Sequence, residues 1–259
     1  MAARPGAIGT LIAETGGLNV MLADSSALAE QLVLDVVHSG FNSAGQRCSA
    51  LRLLIVQEEI APRVRTLLAG CMDELVVGDP ARLGTDVGPV IDDDALSMLE
   101  KHAAQITKNA PWSHRAPSSG NARGRFFAPL AVEIDSLASL QREVFGPAVH
   151  VLTYRARDLD AVVASVNAMG YGLTLGIHTR IDGLAQRIAR TLRVGNVYIN
   201  RNMIGAVVGV QPFGGMGLSG TGPKAGGPYY LHRMATEQTI TTNTAAIGGN
   251  AGLLSLAAR

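Results

Sequence analysis

A cysteine set among glycine and small polar residues, Gly40-Phe41-Asn42-Ser43-Ala44-Gly45-Gln46-Arg47-Cys48-Ser49-Ala50, is where chemistry is most legible in this sequence. The thiolate is a strong nucleophile, and an exposed turn with a cation such as Arg47 beside it lowers a cysteine pKa from about 8.5 toward neutrality. Glu14, in Ala13-Glu14-Thr15-Gly16-Gly17, stands 34 residues upstream. A carboxylate held apart from the nucleophile suits a later step in which water must be activated. The apolar Leu11-Ile12 before it predict a buried strand end, partial burial, and a pKa raised toward neutrality. Together these two residues allow covalent catalysis through a thiohemiacetal or thioester. A lone cysteine is more often a small buried hydrophobe. Cys71, in a helical stretch after Leu67 and Leu68, is read that way.

Several elements must position these groups. Residues 10–13 and 18–22 read as short strands flanking Glu14. Asp24-Ser25-Ser26 offer N-caps for a helix to about residue 39, with Leu28, Leu32 and Val36 on one face. Leu51 to Gln57 is a continuous apolar run suited to a buried strand. A helix over 60–75, with Pro62 in its first turn, and another over 93–109 follow. Residues 111–125 read as a mobile Gly/Pro/Ser-rich loop. Strands at 126–134, 148–155, 173–178 and 195–200 then alternate with helices at 158–168 and 182–193. That alternation predicts an α/β fold, a mostly parallel twisted sheet flanked by helices. Thr236 to Asn243 alternates polar and β-branched residues and reads as an exposed strand in need of a partner.

Composition narrows the function classes. The 259 residues suffice for one large or two modest domains. With 22 basic against 21 acidic residues, the chain carries no electrostatic footprint for nucleic acid or anionic lipid. Two cysteines argue against a disulfide framework and for a reducing, cytoplasmic setting. The sequence shows neither an apolar run long enough for a membrane span nor a signal-peptide core. No metal-binding pattern occurs, and the histidines are scattered. Gly215, Gly217 and Gly220 form a G-x-G-x-x-G, but Pro212 precedes it and Pro223 and Pro228 follow. A dinucleotide fingerprint must follow a strand and open a helix, so this one is read as a decoy.

Glu-Thr-Gly-Gly at 14–17, Gly-Gln-Arg-Cys-Ser-Ala at 45–50 and Glu143-Val144-Phe145-Gly146-Pro147, in this order and spacing, resemble the aldehyde dehydrogenase superfamily. Val77-Gly78-Asp79-Pro80, Gly195-Asn196-Val197-Tyr198-Ile199-Asn200 and the Phe213-Gly214-Gly215 loop extend the likeness. The Gly205–Gly215 stretch and a C-terminal Ala-Ile-Gly-Gly-Asn resemble the pyrroline-5-carboxylate dehydrogenase module of bifunctional proline utilization A proteins. The resemblance implies NAD-dependent oxidation of L-glutamate γ-semialdehyde to L-glutamate, with Cys48 as nucleophile and Glu14 activating the deacylating water. It implies that Glu143 bonds the nicotinamide ribose and that Phe145 fixes the nicotinamide ring. Ser49, Gly205, Ala206 and Phe213 would hold the substrate, a small aldehyde with an α-carboxylate.

On the same ground, residues 1–20 are expected to be the last strand region of a nucleotide-binding domain, 21–235 the catalytic domain, and 236–259 an oligomerisation strand and tail. The chain is then expected to be a catalytic-domain fragment, impaired on its own and forming homo-oligomers through 236–243. Other readings are another aldehyde dehydrogenase branch, a folded oligomerising domain without turnover, and a cofactor-free thiol esterase.

Overall fold

The computed structural model describes residues 5–118, 124–140 and 142–243. In chain order the elements are β1 (Asn19–Ala23), α1 (Ala29–Phe41), β2 (Leu51–Gln57), α2 (Ala61–Asp73), α3 (Asp93–Ile106), β3 (Ser113–Arg115) and β4 (Leu130–Glu133). They continue with β5 (Ala148–Tyr154), α4 (Leu159–Ala168), β6 (Tyr171–Gly172), β7 (Thr174–His178), α5 (Asp182–Thr191), β8 (Asn196–Ile199) and β9 (Met216–Gly217).

Among the described residues, seven strands form one sheet in the order β3-β4-β5-β2-β1-β7-β8. Every pairing in it is parallel except β3 with β4. The strand period of two sends successive residues of the central strands to opposite faces. Met21, Leu54 and Val56 join the core beneath α1, α2 and α3, with Leu32, Val36, Leu68, Met72 and Leu99. Val20, Leu22, Leu53 and Ile55 join the other core with Val163, Val166 and Ile188 of α4 and α5. Burial on both faces explains why β2 is apolar throughout apart from Arg52 and Gln57. The α/β sheet flanked by helices is as expected.

Three local expectations need correction. Residues 10–13 form no strand; one isolated bridge, Glu14 to Gly220, is the only rung there among the described residues. The segment is held instead by a polar loop, with Ala13 N–H donating to Thr221 Oγ1 and Thr15 N–H to the Ser219 carbonyl. Secondly, α1 starts after Leu28, with no side-chain cap. The Asp24 carboxylate is committed elsewhere, accepting from Ser26 N–H and from Thr179 Oγ1. Thirdly, 113–115, expected in a loop, pairs as β3 against β4 because Ser113 to Arg115 lie in register with Val132 to Leu130. Thr236 to Asn243 is exposed, and among the described residues it is assigned to no strand. The Ala-Ile-Gly-Gly-Asn motif and the rest of 244–259 lie outside the described residues.

Candidate active site

The polypeptide between α1 and β2 makes the turn that carries Cys48, the candidate nucleophile. Ser43, Ala44 and Gly45 have φ of 55°, 52° and 62°, three successive left-handed residues. Two of them carry a Cβ, a conformation that costs on the order of 1–3 kcal/mol each and persists only where the surroundings impose it. Gln46 supplies one brace: its amide donates to the Pro89 carbonyl and accepts from Ile91 N–H. Cys48 emerges exposed at the crest, with Ser49 buried beside it.

Beneath the turn lie two buried polar side chains that sequence reasoning missed. Arg52, on β2, donates from Nη1 to the carbonyls of Gly45 (2.7 Å) and Gly146 (3.1 Å). Its Nη2 donates to the Arg47 carbonyl at 3.1 Å, and Nε and Nη2 both donate to Glu143 Oε1 at 3.1 and 2.9 Å. Asn19, on β1, donates from Nδ2 to the carbonyls of Cys48 (2.6 Å) and Ala50 (2.8 Å), and its Oδ1 accepts from Thr174 N–H. An arginine inside an otherwise apolar buried strand was the available signal for Arg52. Asn19, between Leu18 and Val20, offered a weaker one of the same kind.

Electrostatically, the structure brings Cys48, Glu14 and Glu143 together. Desolvation pushes the Cys48 thiol above its usual pKa; the N–H groups of Ser49 and of Cys48 itself pull it back, and the Glu143 and Glu14 carboxylates raise it further. This overturns the expected lowering. Arg47 is exposed and its Nε donates to Ser43 Oγ, so the cation next in sequence is engaged elsewhere. Glu14 is exposed rather than partly buried, because Leu11 and Ala13 make no strand to cover it.

Glu143 is mostly enclosed. Its Oε1 takes the Arg52 fork and its Oε2 accepts Gly17 N–H at 3.1 Å. Phe145 follows, 38% exposed, with the Arg52 guanidinium 5.1 Å from its ring centroid. A cleft of roughly 700 Å³ opens beside Val144, lined on one side by Met98 and His102 of α3 and on the other by Arg142.

The remaining sequence-predicted residues lie in the 205–225 segment. Gly205 is exposed with φ 72°, and Ala206 is half-buried. Among the described residues their N–H groups donate to no one. Phe213 is half-buried and pairs through its backbone with Ala225. No hydrogen bond among the described residues joins 205, 206 or 213 to the nucleophile turn. The glycine-rich loop opens no helix: Ser219 Oγ accepts Gly172 N–H, and its backbone carries the Glu14 segment.

Residues 1–240 match the aldehyde dehydrogenase family. The chain is 54% identical over 234 residues to the bifunctional protein PutA of Escherichia coli (strain K12), covering 88% of this chain and 18% of that protein. It is 36% identical over 233 residues to the 1-pyrroline-5-carboxylate dehydrogenase of Geobacillus kaustophilus (strain HTA426), covering 89% of this chain and 45% of the relative. A crystal structure of Bradyrhizobium japonicum proline utilization A superposes with a TM-score of 0.89 at 55% identity, over 95% of this chain and 25% of that one. The chain thus spans about a fifth of the bifunctional relative and under half of the single-function one. With a match over nearly its whole length and the same fold in solved relatives, the chain belongs to the aldehyde dehydrogenase family.

Proposed function

We propose that this chain carries the catalytic thiol of an NAD-dependent dehydrogenase that oxidises L-glutamate γ-semialdehyde to L-glutamate. The observation that carries the reading is Cys48 itself, exposed on a braced turn, with the N–H groups of Cys48 and Ser49 favouring its thiolate and Glu14 within electrostatic reach. The substrate class follows from the relatives named PutA and 1-pyrroline-5-carboxylate dehydrogenase.

In the chemistry derived from these residues, the Cys48 thiolate adds to the aldehyde carbon and the carbonyl oxygen becomes an oxyanion. The Cys48 and Ser49 N–H groups, which donate to no other group among the described residues, are free to stabilise it. A nicotinamide cofactor, when bound, would supply the hydride acceptor needed to oxidise the Cys48 thiohemiacetal to a thioester. Glu14 then takes a proton from water, the water attacks the thioester carbon, and the Cys48 thiolate leaves with glutamate released. Glu14's exposure suits this role, since the attacking water must reach it.

The residues present fit the nicotinamide half of such a cofactor. Glu143 Oε2, which accepts only the Gly17 N–H, keeps a lone pair for a ribose hydroxyl, and Phe145 is 38% exposed. At the substrate end, the unpaired N–H groups of Gly205 and Ala206 suit an α-carboxylate, with Ser49 adding a hydroxyl and Phe213 flanking the chain. The exposed 236–243 segment, with its alternating polar and β-branched residues, suits addition to a second copy's sheet. Two free cysteines suit a cytoplasmic setting.

Thiohemiacetal formation needs no cofactor, so it tests the reading directly. Iodoacetamide labelling mapped by mass spectrometry should modify Cys48 faster than the half-buried Cys71. Added glutamate semialdehyde should protect Cys48 at lower concentration than an uncharged aldehyde of equal length. Faster labelling of Cys71, or no protection, defeats the assignment.

A further inference from the structure

Arg52 and Asn19 have no part in the chemistry above, yet their hydrogen-bonding capacity is spent almost entirely on its scaffold. A guanidinium has five N–H donors, and Arg52, fully buried, makes five bonds with them: three to carbonyls and two to Glu143 Oε1. Asn19, also buried, uses both amide hydrogens on the Cys48 and Ala50 carbonyls.

What these bonds fix follows from peptide geometry. In a planar trans peptide the carbonyl of one residue and the N–H of the next point in opposite directions. Arg52 draws the Arg47 carbonyl into the protein, which turns the Cys48 N–H outward. Asn19 draws the Cys48 carbonyl inward, which turns the Ser49 N–H outward. Those are the same two N–H groups that favour the Cys48 thiolate, and among the described residues neither donates to another group. Each oxyanion donor is therefore aimed by a buried side chain gripping the other end of its own peptide. Arg52 further ties the turn to the Glu143 to Gly146 segment, through Glu143, the Gly146 carbonyl and the face of Phe145.

We propose that Arg52 and Asn19 are positioning residues that orient the Cys48 and Ser49 N–H groups toward the sulfur and the developing oxyanion. The inference rests on Cys48 being the nucleophile. A lysine at 52 keeps the charge beside Glu143 but lacks the planar fork, and so cannot hold the carbonyls in the same arrangement. A leucine at 19 has a similar shape and no donor.

The test uses Arg52→Lys and Asn19→Leu, each checked for folding by circular dichroism, with two readouts. In the pH profile of Cys48 alkylation the midpoint should rise by about one pH unit, because fewer N–H groups favour the thiolate. The burst with p-nitrophenyl acetate should slow about 10²-fold, as for loss of an oxyanion donor. A merely structural role would lower the melting temperature and leave the alkylation midpoint in place. On the unaltered chain, the amide proton resonances of Cys48 and Ser49 should shift together with ionisation of the thiol, whether or not any variant folds. Folded variants with an unchanged midpoint and burst, or amide resonances indifferent to the thiol, overturn the proposal. An unaltered Cys48 that reacts no faster than Cys71 instead defeats the nucleophile assignment on which it stands.

Discussion

The nucleophile turn and the 205–213 segment both serve the proposed reaction, and they are built in opposite ways. Gly45 to Ala50 is gripped from below by Arg52 and Asn19 and sits at the junction of central strands β1 and β2. The 205–213 segment lies beyond the edge strand β8, exposes Val207, Val208 and Val210, and is held by turn bonds such as Gln211 N–H to the Val207 carbonyl. A group that forms and breaks a bond needs its donors fixed within a fraction of an ångström. A region that only admits and holds a substrate can leave N–H groups open until the substrate supplies their acceptor. Rigidity is concentrated where charge develops.

Two glycines with positive φ test this contrast most severely. A Cβ on Gly45 would come within 2.2 Å of the Gly146 carbonyl oxygen and 2.8 Å of the Gly40 oxygen, whereas one on Gly205 would meet nothing within 4 Å. Gly45→Ala should therefore cost about 3 kcal/mol or more, since backbone on both sides must move. Gly205→Ala should cost only the left-handed penalty, about 1 kcal/mol. Thermal melts of the two variants check this, and similar losses would erase the distinction.

Acid should loosen the braced region next. His150, on β5, contacts the Arg52 carbonyl through Nδ1 at 2.9 Å and His102 Nε2 through Nε2 at 2.8 Å. Donation from Nδ1 to the carbonyl leaves Nε2 to accept from His102. Burial pulls the His150 pKa from 6.5 to about 4, helped by the His102 and Arg52 charges and opposed by the bond to the Arg52 carbonyl. The unfolded chain thus takes up a proton below 6.5 that the folded chain refuses until about 4. Stability is full above that window and falls as pH drops through it, by roughly 3 kcal/mol from this residue. His102 and His178, both lowered by burial, act in the same direction. Urea midpoints measured across the window should show the decline, and His150→Asn should flatten most of it.

On the open side, effects should be smaller and confined to substrate. A bulky residue at Ala206 should raise the KM for glutamate semialdehyde about tenfold, near 1.4 kcal/mol, in an assembled enzyme carrying this domain. An uncharged aldehyde should be spared; equal losses on both would mean a folding defect. Removing 236–243 should leave the unfolding free energy within about 0.5 kcal/mol of the parent chain. Light scattering should nevertheless report a smaller assembly, and an unchanged mass would remove the strand-exchange role.

Much of this was legible in the residues, and the reason differs from place to place. Regular periodicity located α2 with its Pro62 start, α3 over Asp93–Ile106, and β2, β5, β7 and β8 within a few residues, since burial on one stripe or both faces writes itself into the sequence. The same logic failed at residues 10–13, where apolar character without a neighbouring strand made a single bridge. It failed again at Asp24, whose side chain found Ser26 and Thr179 before it could cap α1.

The sequence by itself determined the α/β architecture and singled out Cys48 and Glu14, because reactive groups must be of particular types and glycine-rich turns announce themselves. Only the tertiary structure decided the electrostatics around them. It sent Arg47 toward Ser43, placed two carboxylates near the thiol, and set Arg52 and Asn19 beneath the turn. A charge acts through space and a hydrogen bond through orientation. Neither is fixed by sequence separation: Arg52 and Glu143 are 91 residues apart and make one ion pair.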